Sequence, residues 1–270
     1  MNELFYALII TVFTLLFTNS AFAITNGEHD GDDHPAVVLI VMDIDGSPAY
    51  RCSGALISPT YVLTAGHCTG VPGEFSGLRI FTESDVENGD NNYPFAGSNA
   101  IEAVRWAAHP LYPTQPFIFN DVGMIELSKP VDLSFDQFAA LPVVNILDSL
   151  ARRRGLQDVS FTAVGYGLQR INPVFVESER VRMVSYPNLI QMNAPGFTGD
   201  FSLLLSNNHA TGGTCFGDSG GPNFIGDSLV VGGVTSFGIN GNCAGTGGVF
   251  RIDRQNVLEF ISDFIAQEQE

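Results

Sequence analysis

GDSGGP, residues 217–222 of a 270-residue chain, holds one serine, Ser219, among three glycines. Glycines permit a tight turn whose backbone N–H groups stay free to face a ligand. A serine on such a turn suits acyl transfer: its hydroxyl attacks, and the neighbouring amides hold the oxyanion. On its own the motif also fits an ordinary glycine-rich turn. The chemistry needs a base for the hydroxyl and a carboxylate to orient the base.

Chain order narrows the search for that base. The five histidines, His29, His34, His67, His109 and His209, all precede Ser219. The α/β-hydrolases share GxSxG but place their histidine after the serine, so that reading fails. His67 lies in TAGHC (64–68), directly after the apolar run Tyr61-Val62-Leu63 and beside a cysteine. Asp121 opens DVGMIEL (121–127), an acid leading into a buried strand, where its charge needs a partner such as an imidazole N–H. His29 and His34 sit among Asp30, Asp32 and Asp33 without metal-ligand spacing, and read as part of a solvated acidic turn. His109 and His209 read as structural or surface residues. The acidic stretch 83–92 does not match a calcium loop clearly.

The surrounding texture is strand-like. Apolar, β-branched runs at 36–42, 78–82, 122–127, 159–164, 181–184, 229–234 and 249–252 are separated by Gly-, Pro- and Asn-rich turns such as 45–48, 88–90 and 239–241. That pattern predicts an all-β protein rather than a parallel α/β sheet. Near the C-terminus Val257, Phe260, Ile261, Phe264 and Ile265 recur at helical spacing, so a helix is expected there, capped by Asp253 or Asn256. Residues 129–144 are the best candidate for a connection between two halves.

The formal net charge is −17 and Lys129 is the single lysine, which argues against a nucleic-acid partner. Residues 4–17 carry no charge but are shorter than the roughly 20 residues a membrane-spanning helix needs. Followed by Ala21-Phe22-Ala23, they read as a secretory signal peptide, residues 1–23. The four cysteines, Cys52, Cys68, Cys215 and Cys243, suggest two disulfides in an exported chain, with three connectivities open.

TAGHC, DVGMIEL and GDSGGP, in this order and at these separations, resemble the chymotrypsin/trypsin family of serine peptidases from Ile24 to the final helix. The resemblance implies two six-stranded antiparallel β-barrels with the active site in the cleft between them and a C-terminal helix. The boundaries would be about 24–135, 136–255 and 256–266 within a peptidase domain of residues 24–270. It implies Ser219 as nucleophile, His67 as base, Asp121 as its orienting acid, and the amides of Gly217 and Ser219 as the oxyanion hole. Cys52 would pair with Cys68 and Cys215 with Cys243.

In the family, the residue six before the nucleophile floors the specificity pocket; here it is Gly213, not aspartate. Ser236 and Gly238 resemble the substrate-pairing segment, and Gly248 would form the opposite wall. A neutral slot leaves a buried Lys or Arg uncompensated, so apolar or aromatic side chains are expected before the cut bond. The resemblance further implies that the amino group of Ile24, in ITNG (24–27), pairs with Asp218 after cleavage behind Ala23. Expected is a secreted, monomeric endopeptidase acting on protein or peptide substrates. It would have no cofactor, no metal and no stable membrane insertion. A non-catalytic binding protein or an esterase with the same triad are the alternatives.

Overall fold

The computed structural model describes residues 24–112, 119–152, 159–172, 175–193 and 199–267; the signal-peptide reading of 1–23 lies outside them. Among these residues no helix is long and apolar enough to cross a membrane.

The first half carries β1 (Glu28–His29), β2 (Val37–Ile44), β3 (Ser47–Leu56), β4 (Tyr61–Thr64), the short helix α1 (Gly66–Thr69), β5 (Gly77–Phe81), β6 (Ile101–Ala108) and β7 (Gly123–Leu127). β2, β3, β4, β7, β6 and β5 close into an antiparallel barrel in that order. The β2–β3 hairpin turns at Asp45-Gly46, both at positive φ (51° and 75°), the backbone that a tight two-residue hairpin requires. β2 reads VVLIVMDI and is buried along almost its whole length. It lacks the polar alternation of a solvent-facing strand because both of its faces are covered.

The second half carries β8 (Phe161–Gly165), β9 (Arg170–Asn172), β10 (Phe175–Glu177), β11 (Met183–Ser185), β12 (Leu189–Met192), β13 (Ser202–Asn207), β14 (Pro222–Ile225), β15 (Val231–Gly238), β16 (Gly245–Arg251) and α2 (Gln255–Ala266). Here the expectation of a second closed six-stranded barrel needs correction. β1, β11, β8, β14, β15, β16, β13 and β12 form one open eight-stranded sheet. Just before β8 and β12 an isolated bridge, Ser160 to Asn188, brings the two strands together: the Phe161 N–H donates to the Pro187 carbonyl at 2.9 Å and the Leu189 N–H to the Val159 carbonyl at 2.8 Å, but no continuous ladder follows among the described residues. Pro187 has no N–H to extend the ladder, and β12 is irregular between Leu189 and Gln191. β1 pairs with β11, so the opening strand belongs to this sheet and not to the first barrel.

One apolar core runs through both halves, joining Leu63 and Ile125 of the barrel to Val164, Phe224 and Phe250 of the sheet. Each such side chain, fully buried, contributes about 1.5–3 kcal/mol. α2 docks Val257, Ile261 and Phe264 onto this core, as its periodicity predicts. Its cap differs from the expectation: Arg254 occupies the N-cap position without a side-chain cap. Asp253 is instead buried, accepting from Arg251 at 2.8 and 2.9 Å and from the Leu147 N–H at 3.0 Å.

The acidic turn is also corrected in part. Asp32 and Asp33 are exposed, but Asp30 is buried and receives Arg182 Nε at 3.0 Å. Arg182, itself buried, further donates to the carbonyls of Gly31 and Val37. A buried arginine needs such a full set of acceptors.

Candidate active site

The β4–β7 register sets Thr64 opposite Gly123. It therefore brings α1, just after β4, beside Asp121, just before β7. The His67 backbone N–H donates to Asp121 Oδ1 at 2.9 Å, and His67 Nδ1 faces Oδ1 and Oδ2 at 3.1 and 2.9 Å. Since a carboxylate only accepts, Nδ1 carries the hydrogen and Nε2 is left as the acceptor. Asp121 is fully buried and also receives the Ser236 hydroxyl at Oδ2, 2.5 Å away. Burial drives the His67 pKa down, but the charge of Asp121 and its hydrogen bond outweigh this, so the pKa lies above the ordinary imidazole value.

Ser219 sits on the turn that its glycines make possible. Gly217 (φ 98°) and Gly220 (φ 78°) adopt backbone that other residues rarely tolerate. A Cβ on Gly220 would lie 2.0 Å from Thr64 Oγ1, so only glycine lets the turn pack against the end of β4. Ser53, which sequence reasoning did not single out, clamps the turn. Its N–H donates to the Ser219 carbonyl at 2.8 Å and its hydroxyl to the Gly217 carbonyl at 3.0 Å. Its position beside Cys52 was the only available hint.

Within this turn the amides of Asp218, Gly220 and Gly221 donate to Cys215, Thr235 and Asp218 carbonyls. The amides of Gly217 and Ser219 have no acceptor among the described residues. Cys68, tied to Cys52 as the resemblance implied, places its sulfur 3.6 Å from the Ser219 carbonyl. That links the serine turn to the helix carrying His67, although no hydrogen bond joins the Ser219 hydroxyl to His67 among the described residues. Such bonds are often long before substrate binds.

Asp218 is fully buried, with Oδ1 and Oδ2 each accepting one backbone N–H, from Gly167 and Cys215, at 2.8 Å. Burial pushes its pKa up to about 7 against the pull of those two amides and of Arg51. Ile24 is fully buried too, packed with Val181 and Met183. Thr25 fixes its approach, donating its hydroxyl to Asn207 Oδ1 at 2.6 Å and bridging Gly213. Among the described residues no hydrogen bond or ion pair joins Ile24 to Asp218; in the uncleaved chain the Ile24 nitrogen is a peptide amide.

Beside Ser219 opens a cavity of about 290 Å³, lined by Thr214, Phe216, Ser236, Phe237, Gly238 and Thr246 among others, with no charged side chain. The second disulfide, Cys215–Cys243, also lines it, paired as expected. Of the four residues expected here, Ser236 and Gly238 line the cavity, while Gly213 and Gly248 do not. Gly213 backs onto Asn207, where a Cβ would lie 2.4 Å from its Cγ. Gly248 is covered by the Phe237 ring, which a Cβ would meet at 2.3 Å. Sequence position fixes neither which side chain turns inward nor what lies over a glycine.

The remaining candidates have local partners. Cys52, His67 and Cys68 lie at metal-ligand separations, but both sulfurs are held in the disulfide and offer no thiolate. His109 is buried against Phe260 and His34 stacks on Phe224. In the acidic stretch 83–92, Glu83 accepts from the amides of Asn91 and Asn99, and Asp85 from Asn88.

Comparison with known proteins gives a consistent result. A family model described as Trypsin matches residues 26–261. The chain is 32% identical over 202 residues to brachyurin of Leptuca pugilator, covering 72% of this chain and 78% of that one. It is 28% identical over 194 residues to a trypsin of Phaedon cochleariae, covering 69% and 68%. A solved HL collagenase structure superposes with a TM-score of 0.69 at 21% identity, over 90% of this chain and 99% of that one, a likeness of fold.

Proposed function

The chain belongs to the trypsin family of serine-type endopeptidases, and from that premise we propose that Ser219, His67 and Asp121 form its catalytic triad. The Ser219 hydroxyl attacks the substrate carbonyl while His67 Nε2 takes its proton. Asp121, held by Ser236, keeps Nδ1–H directed at itself and stabilises the imidazolium that forms. The carbonyl oxygen gathers negative charge and turns toward the amides of Gly217 and Ser219. His67 then gives the proton to the departing amine, leaving an acyl-Ser219. Water, deprotonated by the same imidazole, releases the acid.

The observation that carries this reading is the pair of unpartnered amides at Gly217 and Ser219, in a turn whose other amides are all used. Two preformed donors without an acceptor suit a charge that develops only during reaction. Stoichiometric labelling by an organophosphonate, mapped to Ser219, tests it. Labelling elsewhere, or none, would refute it.

The uncharged cavity supports a preference for neutral apolar or aromatic side chains before the cut bond, because a Lys or Arg there would lose its solvation with no partner carboxylate. A peptide library dominated by Lys/Arg cleavage would overturn this. Activation is assigned to the Ile24 amine pairing with Asp218: both residues are buried, and Asp218 has two amide donors but no bonded cation. The two disulfides favour action outside the cytoplasm.

A further inference from the structure

On the far side of Gly217 from the apolar cavity lies a second cavity of about 450 Å³, lined by Arg51, Arg180, Tyr50, Tyr93, Leu168 and Gly217 among others. Phe216, 56% exposed, lines both cavities and divides them. We propose that this second cavity is a carboxylate subsite on the leaving-group side of the scissile bond, and that Arg51 and Arg180 make the enzyme select acidic residues there. The proposal rests on Ser219 being the nucleophile.

Its direction follows from the oxyanion geometry. With the reacting carbonyl oxygen at the Gly217 amide, the acyl half of the substrate runs along Ser236–Gly238 and fills the apolar cavity. The departing half must continue the opposite way, past Gly217 and the Cys52–Cys68 disulfide. Arg51 directly precedes Cys52, and a Cβ built on Gly217 would lie 3.0 Å from Arg51 Nε. The guanidinium therefore lies against the path of the leaving chain.

The charges in this cavity are unusually poorly matched. Arg51 Nη2 and Arg180 Nη1 both donate to one neutral acceptor, Ser178 Oγ, at 2.9 and 3.0 Å. Arg180 Nε donates to the Tyr93 hydroxyl at 3.2 Å, and its nearest carboxylate, the half-exposed Glu87, is 3.8 Å away. Arg51 has no ion pair among the described residues; Asp218, behind the turn, acts on it only through space. Yet the chain holds 29 acidic residues against 12 basic ones. Other arginines of this chain close on carboxylates: Arg105 at 2.7 Å, Arg182 at 3.0 Å, Arg251 at 2.8 Å and Arg254 at 3.1 Å.

Two guanidiniums converging on one hydroxyl, with only the half-exposed Glu87 at 3.8 Å from one of them and, among the described residues, no carboxylate on the other, leave room for an anion from outside. Burial and the like charge of Arg180 hold the Arg51 pKa below its ordinary value, a penalty that a bound carboxylate relieves. Planar guanidinium forks match carboxylates in geometry as well as charge. The anion has two sources, an Asp or Glu side chain of the substrate or the C-terminal carboxylate of a short leaving peptide.

Quenched peptides with one constant acyl half, carrying Glu, Gln or Lys at successive positions after the scissile bond, test this. Each is made as free acid and as C-terminal amide, with rates normalised to active sites titrated by organophosphonate. Glu should exceed Gln by about tenfold in kcat/KM at one position, an advantage that shrinks as salt rises. Arg51→Gln should bring the ratio close to unity, Arg51→Glu should reverse it in favour of Lys, and Arg180→Lys should retain part of it. If only the free acid beats its amide and the loss follows Arg51→Gln, the subsite stands and binds the chain terminus. Equal rates for Glu, Gln, acid and amide, or an advantage untouched by Arg51→Gln, would overturn the proposal. Failure of the wild-type enzyme to titrate would instead overturn the Ser219 reading.

Discussion

Ser236 donates its hydroxyl to Asp121 Oδ2 across 2.5 Å, onto the same oxygen that faces His67 Nδ1 at 2.9 Å. A residue expected at the substrate-pairing edge thus also supports the buried acid from a different strand. Ser236→Ala should reduce kcat/KM by about tenfold, the cost of one lost donor on a buried charge. Less hydrogen-bonded, the carboxylate attracts the imidazolium more strongly. The acidic limb of the pH–rate profile should therefore move to higher pH, a shift that loss of folded protein alone would not produce.

In the proposed triad His67 must be neutral to act as base, so activity should rise with pH through its pKa, which lies above the ordinary value of about 6.5. Because the folded pKa is raised, His67 stabilises the fold below its unfolded pKa, and this stabilisation is lost as pH rises through the folded one. In Asp121→Asn burial is left to lower the pKa, so the acidic limb should drop. The rate should fall by about four orders of magnitude, as in the archetypal Ser-His-Asp enzymes. A pH–rate series on both proteins measures this.

Asp218 carries the opposite burden from an ordinary surface acid. With its pKa pushed up to about 7 in the uncleaved chain, protonation favours the folded state. That stability is present below the unfolded value of about 4 and lost as pH rises through about 7. Thermal unfolding of the chain extended before Ile24 should show Tm falling across that window, and Asp218→Asn should flatten the fall. A chain beginning at Ile24 should hold its Tm there, because the free amine supplies the missing cation. It should lose stability and activity reversibly at alkaline pH, as the amine deprotonates. Equal profiles for the two chains would exclude the Ile24–Asp218 pair.

Gly248 lies under the Phe237 ring, where a Cβ would approach within 2.3 Å. Gly248→Val should force the ring toward the apolar cavity. Cleavage after aromatic residues should fall by about tenfold or more relative to cleavage after alanine, on the scale of an overpacking cost. Paired substrates that differ only at that residue give the ratio.

The Cys52–Cys68 bridge closes a loop with a sequence separation of 16 and lies between the serine turn and the His67 helix. Replacing both cysteines by alanine should lower stability by about 3 kcal/mol on loop-closure grounds. It should also reduce activity of the molecules that remain folded, since it frees α1 from β3, whose Ser53 clamps the serine turn. Denaturant unfolding and active-site titration separate the two effects.

The local readings succeeded where sequence neighbours decide the outcome. β2, β5 and β7 coincide closely with their apolar runs, and α2 buries its predicted stripe. β3 and β6 were missed. β3 contains Pro48, Gly54 and exposed polar residues at its start, and β6 carries Glu102 and Arg105 three positions apart, off the two-residue strand period, beside Trp106. Their strand state comes from pairing partners distant in the chain, which intrinsic preference registers poorly.

The sequence by itself determined the family motifs, their order, the all-β texture and, through the resemblance, both disulfide pairings. These depend on local pattern and on motifs that survive as short strings. Only the tertiary structure decided that the second half is an open sheet, that Ser53 and Ser236 brace Ser219 and Asp121, and that Gly213 and Gly248 stand outside the cavity. It also brought Arg51 and Arg180 to one hydroxyl from positions 129 residues apart (180 minus 51). Hydrogen bonds act over about 3 Å in space whatever the distance along the chain, so partnerships between remote segments exist only once strand pairing and the common core have fixed where each side chain points.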